Sequence, residues 1–397
     1  VFSKYNYSPS LKLAYFRQTT ICAGVDRYGS YLGGSVSFLF SDMLNYHMLG
    51  VVAQANGGIK DIGGQVQYMN QQHRLRWGAA VGHIPYQTGR VYTGREPVTV
   101  DGEQYMANSR ELIRQRVFID RLTLLSDYPL SKNRRVEGSA GYTRISYSFE
   151  SEKILTLGGY VVDRQEKDLD SPSALNLFQS SISYIGDYSF SGFTSPVRGS
   201  RYRVELEPTF GSLRYLTTIA DYRRYFFMHP FTLAFRTFFM GRFLKDAESL
   251  RSSALFLGHE TFVRGYSLRS TNISEGTQNS TSESWPEFNR LLGSRIGVIN
   301  AEFRIPLLGT EQFGLINFSY LPTELVAFCD AGVAWNKDER PELKFERESK
   351  ERIPVVSTGL AARFNILGYL VAQVYYAYPF QRPDKGAHFG FVIAPGW

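Results

Sequence analysis

Long stretches of this chain alternate apolar and polar residues one by one, and that pattern limits its fold more than any other feature. In 200–210, Tyr202, Val204, Leu206 and Pro208 share a face opposite Arg203, Glu205, Glu207 and Thr209. In 30–41, Leu32, Val36, Phe38 and Phe40 oppose Gly33, Ser35, Ser37 and Ser41. In 295–306, Ile299, Ala301, Phe303 and Ile305 oppose Asn300, Glu302 and Arg304; near the end, Phe389, Phe391 and Ile393 line up. A period of two is a strand period, because successive side chains on a strand point to opposite faces. Aromatics make up 15% of the chain, with 26 Tyr and 29 Phe. Such side chains suit a pleated, half-buried surface.

The pattern predicts strands at 11–22, 30–41, 48–58, 63–70, 74–90, 104–125, 134–163, 174–189, 200–211, 213–226, 230–243, 295–307, 318–335, 354–365, 369–379 and 387–396. That is about 16, an even number, as bacterial membrane barrels prefer. Several reach the roughly 9–11 residues that cross a bilayer at a tilt. So many long strands need closure, because an open edge aggregates in water and is not tolerated in lipid. No run approaches the roughly 18 apolar residues of a membrane helix, which leaves crossing by strands open. Connection lengths separate in the same sense. Short turns fall at 42–47, 71–73, 126–133, 227–230 and 366–368, while long connections fall on alternate links at 91–103, 164–173, 244–294 and 336–353, with the middling link 308–317 an exception. Short turns on one side and long loops on the other fit an outer-membrane barrel. The expected fold is therefore all-β: a closed antiparallel transmembrane β-barrel of about 16 strands. Residues 1–10 are expected to be a tether and 11–397 the barrel.

The longest connection, 244–294, holds HETFVRGYSLRS at 259–270. An Arg-Gly pair with Phe262, Val263 and Tyr266 around it is apolar for a loop tip. If the strands enclose a lumen, this loop folds inward. Arg264 then needs carboxylate partners, because a desolvated guanidinium without them is costly. Alternation puts two acids on the inward faces of the next two strands. One is Glu302; the other is Asp330, flanked by inward Phe328 and Gly332 and outward Ala327, Cys329, Ala331 and Val333. Gly265 lets the backbone turn or approach a wall closely, and Phe262 and Tyr266 pack against that wall.

These residues carry a resemblance. VRGY (263–266) resembles the V-R-G-F/Y motif of the BamA/TamA superfamily of outer-membrane assembly and translocation barrels. AEFRIP (301–306) resembles that family's next strand, and FCDAG (328–332) its F-x-D-x-G strand. Five predicted strands follow the motif, and the aromatic end, with Phe389, Phe391, Ile393 and Trp397, resembles the family's C-terminal β-signal. SPVRGSRYRVELEP (195–208) resembles the start of a family strand. The resemblance implies that Arg264 locks the loop through Glu302 and Asp330. It also implies a weak seam between the first strand (11–22) and the last (387–396), where Pro395 interrupts pairing. Family members usually carry periplasmic POTRA modules before the barrel. Only about ten residues precede the first strand here, too few for a domain, so such modules are expected outside this chain or not at all.

The implied function is insertion or translocation of polypeptide, or of lipid, through that seam in the bacterial outer membrane. Two alternatives stay open: a passive anchor or export barrel for a passenger, and a plugged diffusion pore. Expected partners are outer-membrane lipids and lipopolysaccharide, a polypeptide client or passenger, and periplasmic domains outside this chain. Nucleic acid is not expected. The net charge is +7, but basic residues are scattered, and 337–352 holds six basic and six acidic side chains, a solvated loop. No enzyme activity, cofactor or metal is expected. Cys22 and Cys329 lack metal spacing, and His259 beside Glu260 has no nucleophile motif with it. Asn272 and Asn279 match glycan sequons but read as loop polarity.

Overall fold

The computed structural model describes residues 7–26, 29–56, 61–100, 102–267, 286–312, 314–347, 349, 351–368, 370–382 and 385–393. Pro395, Trp397, Asn272, Asn279 and the Cys22 side chain lie outside the described residues. The chain is almost entirely strand. In order these are β1 (Lys12–Asp26), β2 (Gly29–Ser41), β3 (His47–Asn56), β4 (Ile62–Asn70), β5 (Arg76–Val100), β6 (Glu103–Pro129), β7 (Arg134–Leu157) and β8 (Tyr160–Leu169). There follow β9 (Leu175–Asp187), β10 (Phe190–Ser191), β11 (Pro196–Gly211), β12 (Tyr215–Met228), β13 (Phe231–Phe243) and β14 (Leu255–Phe256). After the short helix α1 (Pro286–Asn289) come β15 (Leu292–Gly293), β16 (Arg295–Gly309), β17 (Ile316–Asn317), β18 (Thr323–Trp335), β19 (Val355–Ile366), β20 (Leu370–Pro379) and β21 (His388–Ile393). No described helix is long and apolar enough to cross a membrane, which says nothing of crossing by strands.

Two compact units divide the chain. The first comprises Val1–Tyr128, Glu137–Ser180 and Thr209–Leu213. In it β1 to β6 pair antiparallel, each with the next, and β8 pairs back on β7. Two expected loops are absent. Residues 91–103 are not a loop: β5 and β6 stay in register from Arg76↔Asp127 to Val100↔Glu103. Residues 164–173 are not one either. The expected strand 134–163 folds back on itself, and most of that segment is the returning strand β8. Both hairpins close through glycines that take the left-handed backbone: Gly102 (φ 86°), and Gly158 and Gly159 (φ 59° and 91°). Asp-Gly and Gly-Gly between alternating strands are hairpin signals. Alternation on both sides of these turns, read as one strand in one case and as a loop in the other, hid them.

One face of β5 and β6 reads Trp77, Ala79, Val81 and Pro85, facing Leu124, Leu122 and Phe118; Trp77, Val81, Leu122 and Leu124 on it are exposed. The pair His83–Asp120, 2.6 Å apart, is the polar interruption. Trp77 to Pro85 is a nine-residue span, about one bilayer crossing. The remaining 15 residues of β5 (86–100) extend a further ~50 Å at the strand rise of ~3.3 Å per residue. Ion pairs dress this extension: Arg116 with Asp61 (3.1 Å) and Glu150, Arg114 with Glu152 (2.7 Å), and Lys153 with Glu96.

The second unit comprises Pro129–Val136, Ser181–Pro208 and Arg214–Trp397. Here β12, β13, β16, β18, β19, β20 and β21 pair antiparallel in that order. The alternation has an inverted sense. Phe235, Ile299 (59% exposed), Leu325, Leu360 (66%), Phe389, Phe391 and Ile393 stand exposed. Buried on the other face are Arg236, Asn300, Glu302, Arg304, Asp330 and Arg363. In water this arrangement forfeits hydrophobic stabilisation on one face and charge solvation on the other. It is stable where the exposed face meets lipid and the polar face meets water or protein.

Candidate functional site

The polar face of β16 and β18 is set by register. Asn300 lies opposite Asp330, Glu302 opposite Phe328, and Arg304 opposite Val326. On the next pair, Glu324 lies opposite Arg363. Directly opposed residues share a face, so side chains of alternating charge are brought together on three neighbouring strands.

The tip of the long loop lands on this surface. Arg264, Val263 and Tyr266 are buried. The Arg264 guanidinium grips Asp330 in a fork, Nε to Oδ2 at 2.7 Å and Nη2 to Oδ1 at 2.8 Å. Its Nη1 meets Glu302 Oε1 at 2.9 Å. Its own backbone N–H also donates to Asp330 Oδ2, at 3.2 Å. The Cζ atom sits 3.6 Å from the centre of the Phe328 ring. Such bidentate, charge-assisted contacts are the strong class of hydrogen bond, and a cation over a ring face adds to them. Burial opposes the charge on Arg264, but Asp330 and Glu302 outweigh it and raise its pKa above the ordinary arginine value.

Gly265 has φ 90°, and a Cβ there would lie 3.3 Å from both the Ala377 Cβ and the Ser357 Oγ. Both its conformation and the close approach to the wall call for glycine. Gly332 serves the opposite side of the contact: a Cβ there would stand 2.8 Å from Leu257 and Val263 side-chain atoms. The Tyr266 hydroxyl accepts from the Gln381 N–H at 3.0 Å and lies 3.1 Å from the Val356 carbonyl. Phe262 stacks on Phe238, centroids 4.8 Å apart, and its carbonyl accepts from Asn300 Nδ2 at 2.7 Å. Loop residues Leu255, Leu257, Val263 and Tyr266 form one apolar cluster with wall residues Phe238, Ile296, Val298, Ala334 and Val355. A salt-bridged arginine at the tip of an apolar plug thus joins the loop to the wall.

Sequence reading singled out Arg264, Glu302 and Asp330, and the structure brings these three together. It did not single out the rest of the network. Glu302 is also held by Arg304 (2.8 Å) and Arg363 (2.7 Å). Arg363 reaches Glu324 at 3.3 Å. Arg382 donates to the Gly265 carbonyl at 3.1 Å, and Arg236 to the Thr261 carbonyl at 2.8 Å. Each of Arg236, Arg304, Glu324 and Arg363 occupies a polar slot in the alternation, the one sequence signal available; the register that joins them is a three-dimensional fact. Phe389, Phe391 and Ile393 lie on the exposed face of β21, whose paired neighbour is β20. Among the described residues, no group of three or more His, Cys, Asp and Glu could hold a metal ion.

Three comparisons bear on kinship. The Omp85 superfamily domain matches residues 100–395. No curated protein sequence matches the chain. Among solved structures, BamA from Haemophilus ducreyi lacking POTRA domains 1–3 is similar at 13% identity, covering 96% of this chain and 69% of that one, with a TM-score of 0.55. CdiB from Acinetobacter baumannii is similar at 11% identity, covering 94% of this chain and 58% of that one, with a TM-score of 0.47. At such identity the BamA likeness speaks for the fold, while the domain match spans about three quarters of the sequence. This chain belongs to the Omp85 superfamily.

Proposed function

We propose that this chain is an outer-membrane β-barrel that inserts or translocates polypeptide. In this reading the strands form a closed barrel whose first and last strands make a weak seam, and Arg264 holds the loop tip 259–267 against the wall. One observation carries the reading: a sheet that exposes Ile299, Leu325 and Leu360 while it buries Arg264, Glu302 and Asp330. Such a sheet is built for a lipid exterior. Superfamily membership supports the transport role, and the client is polypeptide rather than a small solute because the interior holds a packed plug. Outer-membrane lipids and lipopolysaccharide surround the exterior, and periplasmic domains such as POTRA modules present the client. The role needs no cofactor and no covalent chemistry.

The test is a disulfide between one cysteine in β1 and one in β21, formed in the inserted protein and followed by an assay of client delivery. Loss of delivery with the folded band retained on a gel supports an opening seam. Unaffected delivery favours the passive anchor. A diffusion pore predicts a large, steady single-channel current, and the plugged interior predicts a small, unsteady one.

A further inference from the structure

The ion network does not end at the wall strands. The connection between β9 and β11, residues 188–195, lies at the end of the second unit's sheet opposite the long loop, because β18 begins and β19 ends there. From it the Ser195 hydroxyl reaches Glu324, 3.0 and 2.9 Å from the two carboxylate oxygens. Arg304 Nη1 donates to Ser195 Oγ at 3.1 Å and to the Pro196 carbonyl at 2.9 Å. The Phe193 carbonyl accepts from Asn365 Nδ2. Ser195, Arg304, Glu324 and Arg363 are all buried, Arg304 completely. A continuous path therefore runs from the connection through Arg304 to Glu302, and through Glu324 and Arg363 to Glu302 again. At Glu302 it meets Arg264.

Moving the connection away would remove one acceptor, the Ser195 hydroxyl, from Arg304 and one donor from Glu324; the second acceptor of Arg304, the Pro196 carbonyl, belongs to the first residue of β11 beside it. A buried guanidinium with unmet donors is costly, so Arg304 would reorient, and Glu302 would redistribute its bonds among the arginines that share it. We infer that Ser195, Glu324, Arg304 and Arg363 are positioning residues of the Arg264 contact, and that the connection 188–195 and the loop tip 259–267 are coupled: loosening either loosens the other. The inference rests on the proposed loop lock, and not on whether polypeptide crosses the barrel.

Hydrogen exchange on the inserted full chain, without client, reads this directly, since the Arg264 amide is itself bonded to Asp330. Ser195→Ala and, separately, Glu324→Gln should speed exchange in peptides covering 258–266 about five-fold or more, the lower end of typical coupling between sites. Ser195→Thr, which keeps the hydroxyl, should restore the slow rate. By reciprocity Arg264→Ala should speed exchange at 188–196. Should Glu324→Gln fail to insert, Ser195→Ala decides alone. Faster exchange at 188–196 in Ser195→Ala with 258–266 unchanged overturns the inference. A failed client-delivery assay with coupled exchange overturns only the transport role.

Discussion

Arg264 and Gly265 do different jobs in the tip, and their substitutions should differ accordingly. In Arg264→Ala, Glu302 keeps Arg304 and Arg363, whereas Asp330 keeps the Asn300 amide at 2.8 Å and loses its guanidinium. Removing one partner of a buried pair costs about 3–5 kcal/mol. We expect the folded band on a gel to melt at lower temperature, with insertion retained and the loop newly open to protease. Arg264→Lys should recover little, because an ammonium cannot reproduce the planar fork to Asp330. Gly265→Ala should leave the charges in place and strain the backbone by about 1–3 kcal/mol. Its signature is faster proteolysis of the tip with a smaller loss of heat resistance than in Arg264→Ala; equal losses would place the strain elsewhere. The central triad was legible because Arg264 is an anomalous loop arginine and Glu302 and Asp330 sit in the inward phase of alternation. Glu324 and Ser195 were not legible. Their meaning depends on which strands neighbour which, and a period of two gives a face but not a partner.

At the scale of elements, alternation located the strands well and their ends poorly. Each expected strand has a counterpart, but β5 and β6 continue far past the expected loop at 91–103. An alternating amphipathic strand in water and one in lipid look alike in period; they differ in what occupies the apolar phase. Past Pro85 and Phe118 that phase becomes Arg116 and Arg114, with carboxylates from the next strand beside them. The segment 91–112 is held by its own pairing, by a few buried residues such as Ala107 and Leu112, and by the partly exposed pair Lys153–Glu96, which contributes ~0–1 kcal/mol at a surface; the buried Arg116–Asp61 pair lies outside that segment. Removing residues 91–112 and rejoining β5 to β6 through an Asp-Gly turn should therefore leave insertion and heat resistance of the folded band essentially unchanged. Loss of the folded band would show that the extension is needed for the membrane-spanning part to form.

For the whole molecule, the account depends on which solvent each face meets. The exposed aliphatic and aromatic positions of the second unit are liabilities in water and assets in lipid. The buried arginines and acids are costly in lipid and satisfied against the plug. Arginine at Leu360 should destabilise the inserted protein by about 2–4 kcal/mol if that position lies near the bilayer midplane, measured as a shift in the urea midpoint of folding into vesicles. The inverted alternation was present in the sequence, but a soluble sheet reads the same in period; exposure decided between them. The most direct test of the central claim is spin-label accessibility along β16, β18 and β19 in the inserted protein, at the outward positions 299, 325, 329 and 360. The account predicts frequent collisions with oxygen dissolved in lipid and few with a water-soluble nickel chelate at all four positions. Collisions mainly with the nickel chelate there would contradict it.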